Sequence, residues 1–487
     1  MSIPGGTQTE RILFKHVSKS FLRLWSVASP FRRQKVKELG GDGKELCDVL
    51  AVCGDHIVVF SDKEVAFQAN CDLKLAWSRW YRRAVEASVK QLRGAGRWLM
   101  KEQDKLYADR ACTIPLPFEL PLPERAKMHF VAVASGAADA CRGWLGGDGS
   151  LMINIGADSD HPFDVPNVFD GIFVHVFDEI TLPHVLRQLD TVTDLVGYLS
   201  AKERLIPAGK TLVAPSEAEI LAYYYLNRES NQKNPLLPPK GADRIYLDQG
   251  FAQDFYQRPE VQYTAKLNQI SRLWDSVIEE FTTHLQGGSL IPMYGPTVPE
   301  KVEVALRQMA LEPRHSRRVL SEHLWDKATG VAKGAWSARV AQSLSRPRDM
   351  YAFVVMDPIF PNGMFPEAAD YRELRRKYLE GYVFAVAASF DNLDQVIGIA
   401  TECGSVNPGR SHDIIQFRVA DLDEEDINYG EAFKKATGVL ARTTRFQTRT
   451  SFEFEKPEGA TVAVKGRRTE RRSTSRKKKR NRKDRRR

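Results

Sequence analysis

Apolar positions Ile12, Leu13, Val17, Phe21, Leu22, Leu24 and Trp25 recur at near-helical spacing in residues 8–28, and Thr7 or Thr9 suits the N-cap. Ser29-Pro30 breaks the pattern and Gly40-Gly41-Asp42-Gly43 marks a turn. Two short apolar runs, 46–53 and 57–60, are joined by Gly54-Asp55, which predicts a β-hairpin. From Leu73 to Leu99 the positions Leu75, Trp77, Trp80, Val85, Val89 and Leu92 recur on one side, with Arg79, Arg82, Arg83, Lys90 and Arg93 largely opposite. That pattern predicts one long helix, which Gly94-Ala95-Gly96 would end or interrupt.

A proline-rich connector follows at 113–124, then predicted strands at 129–136, 150–156 and 171–179. Residues 182–205 read as an amphipathic helix with Asp190, Asp194 and the Lys202–Arg204 charges on its polar side. Residues 1–205 therefore form one α/β unit on a mixed sheet. Residues 206–345 read as mainly helical, with a Pro-punctuated loop at 226–244. Residues 346–445 return to an α/β pattern: a strand at 350–356, a helix running toward a strand at 371–390, and strands at 395–401 and 413–419. The expected fold class is α/β (α+β), with 446–487 a flexible tail and no internal repeat.

The chain has 487 residues, roughly two to four domains at about 100–200 residues each. With 43% hydrophobic and 27% charged residues, wholesale disorder and fibrous repeats are excluded. No window approaches a membrane-spanning apolar run and the N-terminus has no apolar signal region, so the expected location is cytoplasmic, or nuclear in a eukaryotic host, with no membrane partner. The net charge of +9 is not evenly spread. Residues 465–487 hold 15 Lys/Arg and 2 Asp/Glu, leaving 56 basic and 60 acidic groups in the other 464 residues. A mildly acidic body therefore carries a strongly basic tail that has nothing apolar to bury. Its cations, Lys477, Lys478, Lys479 and Arg480 among them, suit nucleic acid, DNA ahead of RNA, through salt-sensitive counterion release. A solubility or address tail and an anionic lipid anchor are the other readings. The six cysteines form no CxxC pair and read as reduced core thiols.

The richest chemistry lies in 45–63. A carboxylate, Asp48, opens an apolar strand; a tight turn and a second apolar strand follow; Ser61-Asp62-Lys63 closes the segment. This arrangement resembles the core of the PD-(D/E)xK, or restriction-endonuclease-like, nuclease superfamily, in particular its nuclease-related and Mrr-like branches. The flanks are similar too: a helix with an early acidic residue (Glu10) precedes the hairpin, and a helix with Gln91 before small residues follows it. The resemblance covers about residues 8–100. It implies a mixed central sheet flanked by helices. It also implies Mg²⁺ or Mn²⁺ held by Asp48, Asp62 and Glu10, a catalytic set of Asp48, Asp62, Lys63 and Gln91, and phosphodiester hydrolysis, with defence or repair as a fitting role.

The chain departs from the family pattern at Ser61, where an acidic residue is expected. Strand alternation puts Ser61 and Lys63 on one face and Asp62 on the other, so Asp62 substitutes only if the strand bulges or ends there. The alternative is a degenerate nuclease fold that binds nucleic acid or acts as a scaffold, with a protein partner available to the C-terminal region. Arg79, Arg82, Arg83 and Lys90 are candidate phosphate contacts, and the tryptophans interleaved with them fill the core or stack on bases. Asp158, Asp160, His161 and Asp164 form a polar loop that could hold a cation, and Asp178-Glu179 suits a helix cap. Arg410 and His412 lie in a loop between two strands. Neither GGDG turn continues into a Walker motif, and no GxSxG or HExxH occurs.

Overall fold

The computed structural model describes residues 8–20, 23–33, 43–157, 161–228, 234–291, 299–357, 368–403, 411–441 and 453–456. It is mixed α/β with several separate sheets. The N-terminal sheet is built in chain order from β1 (Ser26–Ala28), β2 (Val49–Cys53), β3 (His56–Glu64), β4 (Lys127–Ser135) and β5 (His175–Phe177). The first three strands form an antiparallel meander, while β4 and β5 run parallel to β3. Helix α1 (Gln8–Ser20) precedes the meander, the crossover from β3 to β4 contains α2 (Leu73–Tyr81) and α3 (Ala87–Lys101), and α4 (Ala138–Leu145) follows β4.

β2 and β3 meet through the two-residue turn Gly54-Asp55, with Gly54 at φ +59, a conformation that costs glycine little. The strands read as continuous apolar runs because both sheet faces are covered. Leu50, Val52, Ile57 and Val59 face the core that holds α3, while Val49, Ala51, Val58 and Phe60 face α1, α5 (Thr181–Gln188) and α6 (Val192–Glu203). Asp72 caps α2 by accepting the Leu75 N–H at 3.2 Å. α2 and α3 are continuous through a π turn at Arg82–Glu86. The expected break at Gly94-Ala95-Gly96 does not occur, and α3 runs on to Lys101. Gly96 serves packing instead: a Cβ there would come within 2.6 Å of the Phe130 ring on β4.

A second sheet has the order 244–246, 211–214, 152–155, 164–166, so a strand beyond residue 205 completes a sheet begun before it. The third sheet is β6 (Trp336–Gln342), β7 (Asp349–Met356), β8 (Gln395–Glu402) and β9 (His412–Arg418). Its inner face joins the first core through Tyr351, Phe353 and Ile397, against α7 (Arg272–Gln286) and α8 (Arg314–Gly330). Its outer face packs on α9 (Ala368–Ser389) and α10 (Glu424–Thr437). The expected turn from helix into strand within 371–390 is instead a single helix, α9, whose second half is apolar because it is buried.

The segment 182–205 also differs from its expected form. It is two helices, α5 and α6, and Asp190, Asp194 and Lys202 are buried while Arg204 is exposed. Arg228 pairs with Asp194, Arg314 Nε bonds Asp190 Oδ1 at 2.8 Å, and Lys202 Nζ lies 2.6 and 2.7 Å from the Glu217 carboxylate. These counterions come from far along the chain, so the pattern within one helix does not reveal them. Among the described residues, no helix is long and apolar enough to cross a membrane.

Candidate functional site

Asp48 stands directly before β2, in the row that opposes Ser61 of β3. Its backbone N–H still joins the ladder, donating to Phe60 O at 3.1 Å. Its side chain then takes over as acceptor: Oδ2 receives the Asp62 N–H at 2.5 Å. The carboxylate is thus fixed, and its burial is offset by a hydrogen bond and a nearby cation. Lys63 Nζ lies 3.4 Å from Asp48 Oδ2 and donates to Asp62 O at 3.0 Å. From α3, Gln91 completes the group. Its Nε2 reaches Asp48 Oδ1 at 3.5 Å and its Oε1 accepts from Ser61 Oγ at 3.0 Å. Asp48, Ser61, Lys63 and Gln91 therefore converge on one face, at the end of the hairpin.

Asp62 lies on the opposite face. β3 pairs with β4 in unbroken register through Glu64, so no bulge turns Asp62 inward. Its side chain is buried toward α1, and neither carboxylate oxygen has a hydrogen-bond partner. Burial raises its pKa from 3.8 to about 6. The charges of Asp48 and Glu10 add to that rise; Lys63 and the neighbouring Thr9 hydroxyl, outside hydrogen-bond geometry, oppose it. Glu45 joins the same field, its pKa raised by burial with Asp48 and Glu10 contributing. The end of β3 thus gathers four carboxylates, Glu10, Glu45, Asp48 and Asp62, around the Lys63 ammonium.

Arg79, Arg82, Arg83 and Lys90 are exposed on the crossover helix, while Trp80 is buried and Trp77 packs between Trp80, Tyr81 and Phe163. Lys477, Lys478, Lys479 and Arg480 lie outside the described residues, as do Asp158, Asp160 and Arg410. Asp164 is buried beside Asn154, and Asp178 caps α5 through the Ile180 and Thr181 N–H groups. His412 faces Glu280 at 3.5 Å.

Among the described residues, three ligand atoms of His, Cys, Asp or Glu come within 4.8 Å of one another at His129, His175 and Glu203; Glu10, Asp48 and Asp62 form no such set. The histidine cluster lies on the Asp62 face of the sheet, toward the start of β3 where His56 joins it. Sequence reasoning missed it because its members are scattered from residue 56 to residue 203. The available signal was a histidine inside each of two otherwise apolar strands, His129 and His175. Comparison with protein-family models, curated proteins and solved structures gives no match to this chain.

Proposed function

We propose that the N-terminal unit is a divalent-cation-dependent nuclease of the restriction-endonuclease-like type, hydrolysing phosphodiester bonds in DNA or RNA. One observation carries the reading: Asp48, Lys63 and Gln91 converge at the end of a hairpin within a helix, three-strand meander, helix, parallel-strand order. A hairpin that brings Asp48 and Lys63 together, followed by a helix that adds Gln91, supports the family resemblance, apart from the departure at Ser61.

The donor set suits a hard cation. On the Lys63 face it offers oxygens alone, from the Asp48 carboxylate, the Ser61 hydroxyl and the Gln91 amide. Asp48 would hold the ion beside Lys63; Asp62, on the opposite face of β3, and Glu10 do not converge with it among the described residues. When bound, such an ion acidifies a coordinated water and offsets charge on the phosphate. The rest is the work of the chain. The Lys63 ammonium sits where it can stabilise charge developing on a phosphate oxygen. Gln91 holds the Asp48 carboxylate in place, and the exposed cations of α2, the π turn and α3 offer contacts to the backbone of a bound strand.

A second reading rests on Ser61. It stands beside Lys63 where the family pattern has a carboxylate, and its hydroxyl is engaged by Gln91. On that reading the fold binds nucleic acid without cutting it.

The two separate in a cleavage assay with Mg²⁺ or Mn²⁺ on plasmid, linear duplex, single-stranded DNA and RNA. Asp48→Asn keeps an acceptor for the Asp62 N–H, so it tests chemistry rather than folding. Cleavage by the wild type that falls by about 100-fold or more in Asp48→Asn and Lys63→Ala supports the nuclease. No cleavage of any substrate, with binding retained, leaves the non-catalytic reading. Undiminished cleavage by both variants overturns the assigned site.

A further inference from the structure

We propose that His129, His175 and Glu203 form a second metal site, specific for a zinc-class transition-metal ion and separate from the oxygen-lined group at Asp48. Three elements hold it: His129 comes from near the start of β4, His175 from the start of β5 and Glu203 from the last residue of α6. Glu203 Oε1 lies 2.8 Å from His129 Nδ1 and 3.0 Å from His175 Nε2. With metal–ligand bonds of about 2.0–2.2 Å, the ligand–ligand edges of a tetrahedral site are only a little longer than this, about 3.3 Å. All three ligand atoms lie within 4.8 Å of one another, so small side-chain shifts bring them onto those edges.

The donor chemistry selects the ion. Two imidazoles and a carboxylate suit zinc and its neighbours, whereas Mg²⁺ and Ca²⁺ prefer oxygen alone.

His129 has the outer contact of a ligating histidine. His129 uses Nδ1 toward the site and Nε2 toward His56 Nδ1, at 2.8 Å, so its second nitrogen is oriented as ligating histidines usually are. The His56 ring stacks on His129 with centroids 5.2 Å apart. His175 Nδ1 is buried without a hydrogen-bond partner, so the polar anchorage of that ring is its Nε2 contact at the site. His129 and His175 are almost wholly buried, whereas the Glu203 side chain is 26% exposed and forms the open flank. Lys202, next in the chain, does not compete, since Glu217 neutralises it.

The test uses the tag-free full-length wild type. It is stripped with chelator, incubated with CoCl₂ or ZnCl₂, freed of excess by gel filtration, and measured for metal content and visible absorption. The expected result is one equivalent of metal per chain, with cobalt showing the intense visible bands of low coordination number. Zinc should also raise the thermal midpoint in a concentration-dependent way. Glu203→Gln, which keeps the shape and a hydrogen-bond acceptor, should lose most of the metal, whereas Asp48→Asn should retain it. Sub-stoichiometric metal without cobalt bands in the wild type overturns the proposal, as does equal loading of Glu203→Gln. Failure of this test leaves the nuclease reading untouched, because Asp48 and Lys63 lie at the other end of β3.

Discussion

Asp62 is the residue whose burial has the plainest measurable effect. Its carboxylate is shielded from water without a hydrogen bond, which holds the folded-state pKa near 6 against an ordinary 3.8. Between about pH 4 and 6 the folded chain keeps a proton that the unfolded chain has released, so stability falls as pH rises through that window and stays lower above it. Asp62→Asn should therefore stabilise the metal-free protein at pH 8, by at most about 3 kcal/mol, and should change little at pH 4. Urea unfolding of both forms in chelator at the two pH values checks this; equal differences at both would refute it. The sequence placed this residue on the face opposite Lys63 by alternation alone, and the register of β3 keeps it there. What alternation does not supply is depth. A charged residue at a strand end reads as solvated, and only the packing of α1 over that end buries it.

The same gap between pattern and environment recurs in whole elements. The hairpin and the crossover helix were legible because most of their apolar positions are buried, whereas the helix expected over 8–28 stops at Ser20 and its last three residues form β1, paired to β2. The polar side of α5 and α6 was misread as solvated because its counterions lie on elements distant in the chain. The Lys202–Glu217 pair illustrates the energetic stake. Both side chains are fully buried, and Tyr198 OH adds a bond to Glu217 Oε1 at 2.5 Å. Lys202→Met should cost about 3–5 kcal/mol, since it strands a carboxylate in the core. Adding Glu217→Leu should recover most of that loss, and a double-mutant cycle by chemical denaturation measures the difference. A double variant as unstable as the single would show that packing volume rather than charge governs the site. Within the candidate site, Asp48 and Lys63 were legible from order and spacing. The engagement of Ser61 by Gln91 was not, because it depends on how α3 rotates over the sheet.

Across the whole molecule, charge and architecture are divided differently. The body is slightly acidic, whereas residues 465–487 carry 15 basic groups, so nucleic-acid binding on the proposed reading has two electrostatically distinct parts. Truncation after residue 464 should leave the thermal midpoint unchanged and flatten the dependence of log K on log salt, by about 0.9 for each phosphate that the tail neutralises. Titrations of both forms between low and physiological salt measure that slope, and identical slopes would show that the tail neutralises no phosphates. Architecture ties segments far apart in the chain together instead. Trp25 Nε1 donates to Glu303 Oε1 at 2.6 Å, and the core that holds β2 and β3 also contains Trp274, Leu306 and Tyr351. The strand at 152–155 finds its antiparallel partner only at 211–214, which in turn pairs with 244–246. During synthesis, then, a nascent chain that has just emerged through residue 205 presents an unmated sheet edge and half of an apolar core. The N-terminal unit is completed late in translation, and a chaperone holding that interval would have a strand paired on one edge only and an uncovered hydrophobic face to grip.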